Sequence, residues 1–348
     1  MVLRSMLAAG AIAAVAAGCG AAHDKGSASS TGAATPTVKI MVGGLDKQIY
    51  LPAMLAQRLG YFKQQGLNVE LSDEPAGVEA ANQLLAGKVD GVIGFYDHTL
   101  DLQGKGRQTE SVVQLLRLPG EAVMCRSAVA GDVRSPADWG GRKLGVTGLG
   151  SSTYFLTQYL AQHNGVPTNK ITPVAVKAGP TFVAAMQQKA IDCGMTTEPT
   201  ITAVQDKQLG SPLIDMRNEA GTVQALGGVY PASALYMRND WVASHRDTVQ
   251  KLANALVKTL RYIQAHSAAE ITAQMPPEYY QGVGKDAYVK ALDAQKAIFS
   301  PDGIMPKGGP ETVLKVLGSF DPAVKGHDID LAKTYTTKFA AKANATLH

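Results

Sequence analysis

The chain has 348 residues and a formal net charge of +4, with 45% hydrophobic, 18% charged and 6% aromatic residues. This is the composition of a globular protein of about two domains, and no Lys/Arg run of the kind that tracks nucleic acid is present. A role on DNA or RNA is therefore not expected. Three cysteines are also too few for a disulfide scaffold or a four-cysteine zinc site.

The first 36 residues predict a targeting segment followed by a tether. The apolar stretch at 6–17 is shorter than the roughly 20 residues needed to cross a membrane, and it fits a secretion signal at 1–18. Small residues before Cys19 are typical of a bacterial lipoprotein signal, in which that cysteine is lipidated after cleavage. Simple cleavage near Ala17 is the alternative. Residues 19–36 are rich in Gly, Ala, Ser and Thr and predict a flexible tether, so we expect an extracytoplasmic protein anchored to the cell membrane by lipid.

From residue 38 onward, predicted strands alternate with predicted helices. The strands are 38–42, 67–71, 89–95, 112–118, 122–126, 143–146, 171–176, 191–195, 213–216 and 235–238. The helices are 51–59, 77–86, 152–163, 181–189, 199–205 and 240–266. This alternation is typical of parallel sheets with helices on both faces, an α/β class of fold.

Two α/β units followed by a helical return predict two lobes. Lobe 1 comprises 37–127 and 231–348, lobe 2 comprises 128–230, and a hinge of two crossing strands near Arg126 and Tyr230 joins them. Ligands of open α/β sheets bind beyond the carboxyl ends of the strands. We therefore expect a ligand cleft between the lobes.

Four stretches within 37–300 resemble, in this order, the nitrate/sulfonate/taurine and thiamine-pyrimidine group of ABC-transporter substrate-binding proteins. They are VKIMVGG…YLPAMLAQRLGYFKQQGLNVEL from residue 38, LLAGKVDGVIG at 84–94, GSSTYFLTQYLAQHNG at 150–165, and 235–266. The resemblance implies the type II periplasmic-binding-protein fold and a monomer that delivers a small solute, such as a sulfonate, taurine or nitrate, to an ABC permease and its ATPase. A thiamine-type pyrimidine or other heterocycle as ligand, and ligand sensing instead of transport, are the alternatives.

The sequence GLGSST at 148–153 predicts an anion site between a strand and a helix. The first N–H groups of a helix lack intrahelical partners and carry the positive end of the helix dipole. The hydroxyls of Ser151, Ser152 and Thr153 add donors at the same place, which suits an anionic group. The alternative is that Ser151 or Ser152 only caps the helix.

Further candidate ligand contacts follow the carboxyl ends of other predicted strands or lie at the second crossing. They are Gly44, Gln48, Tyr50, Tyr96, Asp97, Glu198 and Tyr230. Glycines let a backbone approach a ligand closely, or they only turn the chain, and Asp97 is also a good helix cap. Glu198 stands in Thr-Glu-Pro, where the resembled family often reads Trp-Glu-Pro. Acids beside a hydroxyl-rich helix end suit a ligand with an amine and an anionic head, or a neutral heterocycle.

Enzymatic chemistry has little support in the sequence. There is no G-x-S-x-G or H-E-x-x-H motif and no Cys/His pair with metal-ligand spacing. The resembled group includes relatives that make the thiamine pyrimidine, but their cysteine-rich motif is absent here. Cys125 and Cys193 each lie in an apolar strand-like run, so we expect two buried free thiols, with a disulfide as the alternative. The sequence predicts a binding protein without cofactor or metal.

Overall fold

The computed structural model describes residues 36–347, so the predicted signal peptide, Cys19 and nearly all of the predicted tether lie outside the described residues. The strands are β1 (Thr37–Val42), β2 (Asn68–Asp73), β3 (Gly91–Phe95), β4 (Thr109–Gln114), β5 (Glu121–Arg126), β6 (Lys143–Val146), β7 (Thr172–Ala175), β8 (Cys193–Thr197), β9 (Gly210–Asp215) and β10 (Ser233–Arg238). The helices are α1 (Leu51–Arg58), α2 (Tyr61–Gln64), α3 (Gly77–Leu85), α4 (Asp97–Gly104), α5 (Ser152–His163), α6 (Pro180–Gln187), α7 (Thr200–Asp206), α8 (Glu219–Leu226), α9 (Asn239–Ser244), α10 (Arg246–Ala265), α11 (Ala268–Gln274), α12 (Lys285–Gln295), α13 (Gly309–Phe320) and α14 (Lys338–Thr346). Over these residues, none of the helices combines the length and the apolar character that a membrane span requires.

The strands form two five-stranded sheets with the same internal arrangement. The first has the order β2-β1-β3-β10-β4 and the second the order β7-β6-β8-β5-β9. In each sheet three neighbouring strands run parallel, and the fourth pairs antiparallel on both of its sides: β10 in the first sheet and β5 in the second. The α/β, two-sheet architecture predicted from the alternating pattern is confirmed.

The first crossing between the sheets lies upstream of the predicted position. β5 pairs with β8 and β9, so the chain has already entered the second sheet at Glu121, whereas the boundary at residue 127 assigns this strand to lobe 1. The burial pattern of β5 shows a strand covered on both faces. The matching apolar run in the sequence predicts a buried strand. It does not predict the sheet to which the strand belongs, because the pairing partners are distant in sequence.

The long helix α10 shows how the helical C-terminal part attaches to the first sheet. Its apolar residues recur every three or four positions and are fully buried: Val249, Leu252, Leu256, Leu260 and Ile263. The single helix predicted over 240–266 is divided at His245 into α9 and α10. Helix α10 packs against α1, α2 and α14. Each such side chain contributes roughly 1.5–3 kcal/mol when it is fully buried, so this stripe holds α10 firmly in place.

Cys125 on β5 and Cys193 on β8 form a disulfide, and the expectation of two free thiols is wrong. The two residues stand directly opposite each other in the antiparallel pair, with their Cα atoms 4.0 Å apart. The register between strands 68 residues apart is a tertiary property that neither strand reveals alone. The disulfide fixes that register in the second sheet.

Candidate functional site: a polar cavity between the two sheets

A small, mostly polar cavity lies where strands of both sheets end. It is lined by Lys47, Ile49, Tyr50, Gly77, Phe95, Glu121, Thr147, Ser151, Ser152, Thr153 and Thr197. Its volume is about 10 Å³, which is about the space of one water molecule. The lining comes from segments belonging to both sheets.

The N-terminus of α5 presents the predicted hydroxyl groups to this cavity. Gly150, with φ of +88°, turns the chain into Ser151, which occupies the cap position of the helix in extended conformation. Ser151 makes no side-chain capping hydrogen bond, and its buried Oγ atom has no partner among the described residues. Thr153 Oγ1 accepts a hydrogen bond of 2.9 Å from the Thr147 N–H and thereby fastens the loop. Helix capping thus leaves the Ser151 hydroxyl available to a ligand.

Asp97, which follows β3 of the first sheet, connects the first-sheet half to α5 of the second-sheet half. Its Oδ1 atom accepts a hydrogen bond of 2.8 Å from Ser152 Oγ, and its Oδ2 atom accepts one of 2.9 Å from the Tyr230 hydroxyl. The carboxyl is fully buried. Burial raises the pKa of Asp97 to about 7, although the hydrogen bonds from Ser152 and Tyr230 act in the opposite direction. Three predicted residues are therefore brought together in one hydrogen-bonded group.

Glu121 is a buried acid at the cavity that the sequence analysis did not single out. It is 2% exposed, and its Oε2 atom has no hydrogen-bond partner among residues 36–347. Burial and the nearby charge of Asp97 raise the pKa of Glu121 well above its usual value, while the charge of Lys47 lowers it. A glutamate directly before a run of apolar strand residues was the only signal in the sequence.

Lys47 supplies a buried cation on the other side of the cavity, and it was also missed. Its Nζ atom donates to the carbonyl oxygens of Gly43 and Pro75, at 2.6 and 3.0 Å. Burial lowers the pKa of Lys47, and the surrounding acids raise it. Gly44 has φ of +114°, and a Cβ atom there would lie 2.5 Å from Lys47 Cε. Gly44 therefore makes room for this lysine, and its contact with a ligand stays a prediction.

The structure does not bring the side chains of Gln48 and Tyr96 to the cavity, whereas Tyr50 lines it. Gln48 Nε2 donates to the carbonyl oxygen of Tyr288 at 2.9 Å, and its Oε1 accepts from Gln295 Nε2 at 2.7 Å. The Tyr96 hydroxyl is hydrogen-bonded to Thr334 Oγ1. Both side chains therefore point into the C-terminal helical part and serve packing.

Glu198 is likewise occupied by structural partners rather than facing the cavity. Its carboxylate forms an ion pair with Arg217 and accepts a hydrogen bond of 3.0 Å from the Thr202 N–H. Its backbone carbonyl oxygen accepts from the Gln48 N–H at 3.0 Å, which joins the segment after β1 to the end of β8. Through this backbone hydrogen bond, Glu198 connects the first-sheet half to the second-sheet half beside the cavity.

Metal ligation is not supported by the described part of the chain. Between residues 36 and 347, no group of three or more His, Cys, Asp or Glu side chains is placed to hold a metal ion. His98 is buried beside Gly77, and burial lowers its pKa to about 3, so its ring is neutral.

Two α/β sheets with the same arrangement of parallel and antiparallel strands, with a polar cavity between them, define a periplasmic-binding-protein fold. A solved structure from Bordetella bronchiseptica RB50 is 32% identical, has a TM-score of 0.85, and covers 89% of this chain and 97% of that one. The nitrate-binding protein NrtA from Synechocystis PCC 6803 is 15% identical with a TM-score of 0.68, covering 90% and 89%. The alkanesulfonate-binding protein SsuA from Xanthomonas axonopodis pv. citri is 16% identical with a TM-score of 0.67, covering 86% and 98%.

The chain belongs to the NMT1/THI5-like family, whose sequence profile matches residues 49–269. The Saccharomyces cerevisiae protein THI11, a 4-amino-5-hydroxymethyl-2-methylpyrimidine phosphate synthase, is 28% identical over 224 residues, covering 62% of this chain and 64% of that protein. The putative binding protein YtlA of Bacillus subtilis is 21% identical over 266 residues, covering 74% and 75%. The chain thus spans less than two thirds of the length of this synthase. The group resemblance stated from the sequence is confirmed.

Proposed function

We propose that this protein is the extracytoplasmic solute-binding component of an ABC importer, which captures a small organic solute in the cavity between the two sheets. The observation that carries the proposal is a set of buried polar atoms without partners among the described residues, Ser151 Oγ, Glu121 Oε2 and Thr197 Oγ1, around one cavity. Each such atom costs about 1–3 kcal/mol when it is left unsatisfied. A solute that pairs with these atoms recovers that free energy.

A cavity with room for about one water molecule does not hold such a solute, so in this proposal the two halves open for entry and then close around the bound solute less tightly than in this structure. A ligand shifts the balance toward the closed form only by its greater affinity for that form. Contacts from both halves provide this difference, because Ser151 and Glu121 belong to the second-sheet half and Lys47 to the first. In this proposal, a permease recognises the closed shape. The protein acts as a monomer held outside the cytoplasm by a lipid on Cys19.

The ligand class within this proposal is a sulfonate, taurine or nitrate, with a thiamine-type pyrimidine as the alternative. The names of the fold neighbours support the former, and the names of the curated relatives support the latter. Those relatives also make an enzyme acting on a pyrimidine the second candidate function. Ligand sensing at a membrane receptor uses the same cavity and differs only in the partner.

Thermal unfolding of the purified protein with single solutes tests the proposal. Taurine, alkanesulfonates, nitrate and 4-amino-5-hydroxymethyl-2-methylpyrimidine form the first panel, followed by a broad metabolite library. A ligand at 100 times its Kd stabilises the folded state by about 2.7 kcal/mol, which raises Tm by several degrees. The Ser151→Ala variant, which removes an unpaired buried hydroxyl, should have a ligand-free Tm equal to or above that of wild type and should lose most of the ligand-induced shift.

Two results would speak against solute binding. No compound of the library raising Tm would contradict the proposal directly. Conversion of a bound compound into a new product, followed by mass spectrometry, would favour the enzymatic candidate instead. A shift without any product supports the binding protein.

A further inference from the structure

Glu121 lines the cavity from a tightly packed stretch of backbone. Glu121 is paired in register with Thr197 on β8, and its carbonyl oxygen accepts a hydrogen bond of 2.9 Å from the Met216 N–H. The preceding Gly120 is packed so closely that a Cβ atom there would lie 2.7 Å from Ile298 and 2.8 Å from Ile49. The side chain is buried at the cavity wall with Oε2 unpaired among the described residues.

The charges around Glu121 are not balanced within the described residues. Asp97 is a second buried acid close enough to affect Glu121, while Lys47 is the one cation that acts on it. The Lys47 ammonium donates to two backbone carbonyl oxygens and forms no ion pair with a carboxylate in the described part of the chain. A bare anion brings no hydrogen-bond donor to Glu121, whereas a group with N–H donors satisfies its unpaired oxygen directly.

The opposite requirement holds at the N-terminus of α5, which lines the same cavity. Ser151 Oγ is buried and unpaired among residues 36–347, and the helix has twelve residues. The positive end of such a helix favours an acceptor or a negative group. The cavity therefore offers Glu121 to an N–H donor of the solute, and it offers Ser151 and the start of α5 to an acceptor group of the solute.

We propose that Glu121 determines specificity, and that the site takes a small solute carrying an amino or ammonium group together with a hydrogen-bond acceptor or anionic group. This inference rests on the proposed solute-binding function. The N–H group of the solute donates to Glu121, and its acceptor end lies at Ser151 and the start of α5. Anions without an N–H group, such as nitrate or a simple alkanesulfonate, are discriminated against because they leave a buried carboxyl unpaired.

Calorimetric titration with two matched pairs of probes tests the inference. The first pair is taurine and ethanesulfonate, which lacks the amino group. The second pair is 4-amino-5-hydroxymethyl-2-methylpyrimidine and the same pyrimidine without its 4-amino group. We expect one amino member to bind about tenfold or more tightly than its partner, the scale of one hydrogen bond to a charged group. The two arms distinguish an aminosulfonate from an aminopyrimidine.

The Glu121→Gln variant should lose most of this preference, and the exposed Glu70→Gln on β2 should retain it. Ser151→Ala should weaken both members of the binding pair alike. The wild-type comparison does not depend on the folding of any variant. If the member without an amino group binds wild-type protein equally well, the inference is overturned while solute binding stands.

Should neither pair bind, the solute retained by the purified protein is identified by native mass spectrometry, with the library screen as a second route. A retained or library solute with an amino group whose affinity falls in Glu121→Gln supports the inference, and one without N–H groups overturns it. If no solute is retained and none from the library binds, the proposed function itself fails.

Discussion

Asp97 is expected to make the stability of this protein depend on pH. The carboxyl is fully buried, and burial raises its pKa from 3.8 to about 7. A carboxyl with a raised pKa holds its proton more tightly in the folded state. Its contribution to stability is therefore complete below about pH 4 and is lost as the pH rises to about 7. The displacement corresponds to roughly 4 kcal/mol, of which roughly 2 kcal/mol is lost between pH 5 and pH 7.

The Asp97→Asn variant removes this titration but keeps the size of the side chain. The amide has a single acceptor oxygen, so one of the hydroxyls of Ser152 and Tyr230 then faces its NH2 group, at a cost of about 1 kcal/mol that does not vary over this range. Relative to wild type, the free energy of unfolding of the variant should improve by roughly 2 kcal/mol from pH 5 to pH 7.

Urea unfolding in half-unit pH steps measures this difference. The Asp328→Asn variant is a matched control, because Asp328 is exposed, and it should differ from wild type by a nearly constant amount. If the difference between Asp97→Asn and wild type is the same at pH 5 and pH 7, the burial argument is refuted.

Three further predictions concern stability. Replacing both cysteines of the β5–β8 disulfide with serine should lower the free energy of unfolding by roughly 4 kcal/mol in urea titrations, given the 68-residue separation; equal midpoints would contradict this. Arg217→Met should cost about 3–5 kcal/mol because it leaves the buried Glu198 carboxylate unpaired, and adding Glu198→Gln should recover most of the loss in a double-mutant cycle. Gly104→Ala should lower Tm by several degrees, since its Cβ would meet the Ala323 carbonyl oxygen at 1.8 Å. Gly318→Ala in α13, with open space around it, should leave Tm unchanged or raise it.

Local sequence patterns predicted where strands such as β5 lie in the chain, but they did not predict which other strands each one pairs with. The apolar run at 122–126 predicts β5 to within one residue of its observed start. Its membership of the second sheet depends on pairing with β8 and β9, which begin at Cys193 and Gly210. The disulfide follows from that same pairing, so it too lay beyond what either strand shows by itself.

The residues of the candidate site likewise fall into those that local sequence predicts and those whose position depends on distant partners. Ser151, Ser152 and Thr153 were predictable, because a strand followed by glycines and a helix places hydroxyls at a helix start by local geometry alone. Gln48 and Tyr96 follow predicted strands as expected, but partners from the C-terminal helical part determine where their side chains point. Lys47 and Glu121 were missed because sequence alone does not show that a charged side chain is buried.

The two sheets share one arrangement of parallel and antiparallel strands, but their strands come from differently spaced parts of the chain, so we expect them to fold at different rates. Every strand of the second sheet comes from the uninterrupted stretch Glu121–Asp215, while the first sheet has β4 ending at Gln114 and its neighbour β10 beginning only at Ser233. Closing the longer gap costs more chain entropy and slows formation of non-local contacts. During refolding, amides of the second sheet should gain protection from exchange first, and a chain shortened to end before Ser233 can complete only one of the two sheets.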